Sequence, residues 1–190
     1  MNYVISFDYR FLTVFLLLYL LLILLMRFKL KKNIHNIMVF SLLYFYIVFL
    51  IKETQFDIYI NNPEMKKELG SVAFGRDINI VPFKDFFNIT TLLNVLIFIP
   101  VGFLQGLLYK SSWIKTIVMG FVVSLIIELS QLFVRILVGI NFRKIDVNDL
   151  ICNTTGAIIG FTLLLLFVSI LKKLIKKESV INKYLENVEL

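Results

Sequence analysis

The chain is poor in the residues from which metal centres and hydrolytic triads are usually built. A single cysteine, Cys152, leaves no intrachain disulfide and no thiolate cluster to consider, and inside an apolar run it reads as a small apolar residue. A single histidine, His35, stands in a basic stretch, so no zinc site or Ser-His arrangement is expected around it. Charge is sparse as well: 17% of the residues are Asp, Glu, Lys or Arg, where soluble domains carry about 25%. The formal net charge of +7 would point to nucleic acid in a soluble protein. Here the positive residues flank apolar blocks, so membrane topology accounts for them and no nucleic-acid partner is expected.

What the chain has in excess is apolar residues: 59% are hydrophobic and 15% aromatic, with a mean hydropathy of +0.87. They come in long blocks, which predicts an all-α integral membrane protein, a bundle of about five transmembrane helices. The blocks are Phe11 to Met26, Ile37 to Ile51, Thr91 to Tyr109, Trp113 to about Val138, and Asp149 to Leu171. Residues 1–10 lack the basic start of a signal peptide, so the first block reads as a retained helix. Trp113 suits an interface, and Pro100 predicts a kink in the third span. The bias toward Ile, Leu, Phe, Lys and Asn is what an AT-rich bacterial genome would produce, a compositional hint only, and the apolar blocks lead one to expect a multi-pass protein of the cell membrane.

More than half of the 20 Lys and Arg lie in residues 27–36, 110–115 and 172–190. Short basic flanks mark the cytoplasmic side, so the N-terminus is expected outside and the C-terminus in the cytoplasm. The resulting map has two N-terminal transmembrane helices in 1–51 and an extracytoplasmic loop in 52–90. A three-helix core occupies 75–171, and a basic cytoplasmic tail follows in 172–190. Within the loop, Asn61-Asn62-Pro63, Gly70 and Gly75 mark turns, and Pro82 predicts an extended Asn79–Phe83 stretch.

The polar residues inside the blocks are few and regularly spaced. Asp149, Asn153, Gly156 and Gly160 fall on one helical face, as do Gly120, Ser124, Glu128, Gln131 and Arg135. With the expected topology, Asn94, Glu128, Gln131, Asp149 and Asn153 reach similar depths in the outer half of the membrane, with Arg143 and Asp146 just above. An unpaired carboxylate at a helix centre costs about 2.5–3.5 kcal/mol on insertion scales. Glu128 therefore calls for Arg143, Arg135, Asn153 or water as a partner, or for a proton. Plainer roles exist for its neighbours. Asp146 and Asp149 suit the capped, positive end of the fifth helix. Gly156-x-x-x-Gly160 suits close helix packing, and Gln131 and Asn94 suit interhelical hydrogen bonds. Glu128 is the residue for which function outweighs structure.

At these residues the chain resembles the VanZ-like family, membrane proteins named for a component linked to low-level teicoplanin resistance. The matching elements are Asn79-Ile-Val-Pro82-Phe83, then Asn94 with Phe98-Ile-Pro100-Val-Gly102-Phe, then Ser124-x-x-x-Glu128-x-x-Gln131. Arg143-x-x-Asp146-x-x-Asp149-x-x-x-Asn153-x-x-Gly156-x-x-x-Gly160 completes them, over about residues 75–165. The resemblance implies a bacterial membrane protein with an influence on glycopeptide susceptibility or envelope homeostasis. It supplies no reaction and no cofactor.

Three readings follow. In the first, an outer polar pocket engages a lipid headgroup or lipid-linked cell-wall component through Asn94, Gln131, Arg143, Asp146, Asp149 and Asn153, the arginines attracting phosphate. In the second, an intramembrane hydrolase or transferase uses Glu128 as general base, with Asp146 and Asp149 available to a divalent cation, although the spacing matches no recognised metal motif. A small transporter comes last, because no inverted repeat is evident.

Overall fold

The computed structural model describes residues 3–72, 78–84, 86–109 and 111–174. Gly75, Lys110 and the tail lysines Lys176, Lys177 and Lys183 lie outside the described residues. Five helices are long and apolar enough to cross a membrane, so the chain is an all-α, multi-pass membrane protein. It divides into two compact units, Met1–Phe74 with Ser130–Arg143, and Gly75–Leu129 with Lys144–Leu190.

The first unit opens with strand β1 (Tyr3–Ile5), which pairs antiparallel with β2 (Ile58–Ile60). Helix α1 (Tyr9–Leu24) starts at Asp8, whose carboxylate accepts the amides of Arg10 and Phe11 at 2.9 and 3.4 Å. It runs on into a π-helical turn, Leu25–Lys29. No residue of α1 is buried, although its mean hydropathy reaches 2.6. A helix this apolar that leaves most of its surface exposed is at home in lipid, and only the face carrying Phe11, Phe15, Tyr19, Leu22 and Ile23 is half-buried. Helix α2 (Ile34–Gln55) starts in the basic stretch itself, so His35 falls in its first turn. Tyr19 and Ser41 are hydrogen bonded at 2.8 Å, and the Tyr44 hydroxyl donates to the Phe15 carbonyl at 2.6 Å, which ties α1 to α2. Short helix α3 (Pro63–Leu69) follows Asn62, with proline at its first position, and ends at Gly70, whose φ is +83°.

The second unit is built on α4 (Ile89–Leu108), the first part of α5 (Trp113–Val138) and α6 (Val147–Leu174). Helices α4 and α6 run parallel and touch through glycine. A Cβ on Gly156 would overlap the Val95 carbonyl, one on Gly160 that of Ile99, and one on Gly102 that of Ala157. The packing role of Gly156-x-x-x-Gly160 is therefore realised within the chain. Phe98, Ala157, Phe161 and Leu164 are buried where the helices meet, and the Trp113 ring stands edge-on to Phe161 at 5.1 Å. Pro100 sits inside α4 without ending it. Strand β3 (Ile78–Asn79) pairs in parallel with β4 (Ile145–Asp146), immediately before α6. The extended stretch predicted over Asn79–Phe83 is shorter than expected: the chain turns after β3, with Phe83 at φ +65°.

The five spans fall where the apolar blocks put them: α5 matches its block, and the other four helices reach two to four residues beyond theirs at one end or both. Along the polar stripe of α5, Gly120, Ser124, Glu128 and Arg135 are buried and Gln131 is half-buried.

Candidate functional site

In the second unit, a network of acids and amides gathers at the starts of α4 and α6. The Asn94 carboxamide donates to Asp149 Oδ1. Asp146 Oδ1 accepts two hydrogen bonds at 2.8 Å, from Asn79 Nδ2 and from the Asn148 amide. The second of these makes Asp146 an N-cap of α6, the plainer role anticipated for it. Asn148, buried itself, accepts the Phe83 amide at 2.7 Å and donates to the Lys84 carbonyl at 2.8 Å. One turn deeper on α6, Asn153 donates to Ser124 Oγ of α5 at 2.8 Å.

The position of Glu128 follows from the register of α5 against α6. The Cβ position of Gly120 faces Ala157 and Thr154, and Ser124 meets Asn153, so residue numbers rise on one helix as they fall on the other. One further turn brings Glu128 level with Asp149. Glu128 is 4% exposed, so it faces protein and not lipid.

Two of the residues proposed from sequence belong to the other unit. Gln131 Nε2 donates to the Thr54 carbonyl at 2.8 Å, and Arg143 donates to the Phe56 carbonyl at 2.7 Å. Arg135, fully buried, donates to the Arg143 carbonyl at 2.9 Å and to Asn141 Oδ1 at 3.3 Å. Thr54 lies in the last turn of α2 and Phe56 just past its end, where carbonyls lack helical donors. These side chains hold the end of α2 and the segment after α5. A long donor can reach a ligand or a stray carbonyl equally well, and sequence spacing does not separate the two.

Asn94, Asp146, Asp149 and Asn153 thus share a unit with Glu128, whereas Gln131 and Arg143 belong to the other unit. Sequence reasoning passed over Asn148, which bridges β4 and α6 to residues 83–84. Its place between two acids at a helix start was the available signal. Among the described residues, no three His, Cys, Asp or Glu side chains lie close enough together to hold a metal ion.

A family model described as VanZ/LLP1 matches residues 11–168. It takes in the first two spans, which the motif resemblance did not reach. The chain matches no curated protein and no solved structure at a significant level.

Proposed function

The chain belongs to the VanZ/LLP1 family, and from that premise we propose that it reduces susceptibility to teicoplanin-type glycopeptides by engaging a lipid headgroup or lipid-linked cell-wall component of a bacterial envelope. The contact surface is the acid and amide network at the starts of α4 and α6. In this reading the N-terminus is outside, the C-terminus is cytoplasmic and residues 52–90 are extracytoplasmic, so the network opens toward the outer leaflet.

The observation that carries the proposal is the pairing of Asn94 with Asp149, beside Asp146 with Asn79 and Asn148, at the ends of otherwise apolar helices. Polar groups in such a setting are costly unless they serve packing or a ligand. The bonds described in the network are made to carboxylate oxygens, acceptors that suit hydroxyl or ammonium groups of a headgroup or sugar. Arg143 and Gln131 support the fold in this reading. The test compares teicoplanin susceptibility and headgroup-lipid binding in cells carrying the wild-type gene, a deletion, and Asp149→Asn. Deletion and Asp149→Asn are expected to raise susceptibility together, with binding lost in the variant. Equal susceptibility with and without the gene overturns the resistance part.

A second reading, an intramembrane hydrolase or transferase with Glu128 as general base, is favoured by one observation: Glu128 is a buried carboxylate within a membrane-spanning helix. Turnover of a lipid-linked substrate that Glu128→Gln abolishes would support it. Absence of turnover by purified wild-type protein across candidate lipids, with and without Mg²⁺, would end it.

A further inference from the structure

The segment between β3 and α4 presents an apolar surface that is exposed among the described residues. Phe87 is 100% exposed and Ile80 77%, with Val81, Phe83 and Ile89 exposed beside them. Phe83, Phe86 and Phe87 stand edge-on to one another at 5.3 and 5.7 Å. Phe86 and Phe87, with Ile89, Leu92 and Val95 of α4, line an open groove of about 510 Å³. Groups of this size left in water mark a surface that meets something apolar.

We infer that residues 80–84 and 86–89 form an interfacial hook embedded in the bilayer, with lipid acyl chains occupying the groove. The length of α4 sets the depth. Its 20 residues span about 30 Å, the thickness of the hydrocarbon core, so its first turn has no spare length to stand clear of the boundary. Phe87 precedes the cap Asn88 and is held at that boundary. The exposed face is also continuous with Leu92, Leu93 and Leu96 of α4, which a membrane-crossing helix presents to lipid.

The backbone of the hook supplies the second argument. Irregular backbone near hydrocarbon must satisfy its polar groups internally. Asn148 serves the Phe83 amide and the Lys84 carbonyl, Asn79 Oδ1 accepts the Val81 amide at 3.2 Å, and the Asn88 amide donates to the Phe86 carbonyl at 3.0 Å. Exposed Lys84 supplies a cation at headgroup level. Aromatic rings beside a lysine are the side chains that anchor proteins at this level. Through Asn79 and Asn148 the hook is tied to β4 and the start of α6, so it also fixes the height of Asp146 and Asp149 relative to the membrane surface.

The test places a reporter on the hook of the full chain in lipid vesicles. Trp113 is the only tryptophan, so Phe87→Trp combined with Trp113→Phe gives a single emitter. Blue-shifted emission, at least twofold quenching by lipids brominated on their acyl chains and little quenching by aqueous iodide are expected. Red emission with strong iodide quenching would overturn the inference. Because Trp113 packs on Phe161, Phe87→Cys carrying a nitroxide provides a second route that leaves Trp113 in place, Cys152 being buried. Collisions with oxygen should exceed those with a water-soluble nickel chelate. Preferential collision with the chelate, or spin–spin coupling at high lipid-to-protein ratio, would assign the surface to water or to a second copy and refute the hook. Neither result depends on a glycopeptide phenotype.

Discussion

Gly160→Ala is the smallest change that tests how the second unit is held together. The added methyl would overlap the Ile99 carbonyl and come within 3.0 Å of the Phe103 amide nitrogen. Both are backbone atoms of α4, so no rotamer change relieves the clash and the two helices must separate locally. A gap of about 0.5–1 Å forfeits a quarter to a half of each dispersion well along the contact. Overpacking of this kind costs about 1–3 kcal/mol. The exposed control is Thr155→Ala, which removes only a hydroxyl bonded to the Ile151 carbonyl of its own helix at 2.7 Å. The assay is denaturant unfolding of the purified protein in bicelles, followed by Trp113 emission, since that ring reports the α6 face through Phe161. Gly160→Ala should lower the transition midpoint and Thr155→Ala should leave it within error. Wild-type stability for Gly160→Ala would mean that α4 and α6 do not meet through their glycines, and the placement of Asn94 against Asp149 would fall with it.

Asn94→Leu removes the donor to Asp149 and should cost roughly 0.6–1.7 kcal/mol, the range measured for interhelical hydrogen bonds in membranes. Asn94→Asp should cost more by setting two carboxylates together, and adding Asp149→Asn should recover most of that loss in a double-mutant cycle. Gln131→Ala should destabilise the protein by about 1 kcal/mol through the stranded Thr54 carbonyl, with no change in the lipid-binding constant. A loss of binding at unchanged stability would return Gln131 to the ligand site. Asn148→Ala leaves the Phe83 amide and Lys84 carbonyl without their shared partner, and faster amide exchange across 80–84 should reveal it, while exchange in the middle of α6 stays slow.

Most of the fold was legible because the bilayer makes few demands and makes them strongly. A stretch such as Phe11 to Met26 has no alternative in lipid to a helix that satisfies its own backbone, although the caps Asp8 and Asn88 start α1 and α4 ahead of the apolar blocks. The glycine spacing of α6 was legible for the same reason: only small residues let helix backbones approach. The short elements in residues 52–90 were not legible. Strands of two or three residues, such as β2 and β3, carry too little pattern to register as a period, and their pairing with β1 and β4 is decided far away in the chain. Phe83 illustrates the limit. Pro82 constrains Val81, but nothing local announces that the next residue turns to positive φ so that its amide can reach Asn148.

The site divided along a chemical line. Depth along a helix is set by residue count, so Asn94, Asp149 and Asn153 could be placed together from sequence, and these are the residues the second unit gathers. Direction is different for a long donor. Arg143 and Gln131 could meet a ligand phosphate or the carbonyls at the end of α2, and the deciding quantity is the cost of leaving those carbonyls bare. Each buried, unsatisfied carbonyl costs about 1–3 kcal/mol, comparable to what a donor gains from an exposed anion, and it is present whether or not a ligand is. A helix end inside a membrane protein therefore recruits nearby donors first. The same logic separates the carboxylates: Asp146 caps α6 and Asp149 takes the Asn94 amide, and each makes these bonds through Oδ1. In the proposed reading, the remaining acceptor positions of Asp146 and Asp149 are where a hydroxyl or ammonium group would bind.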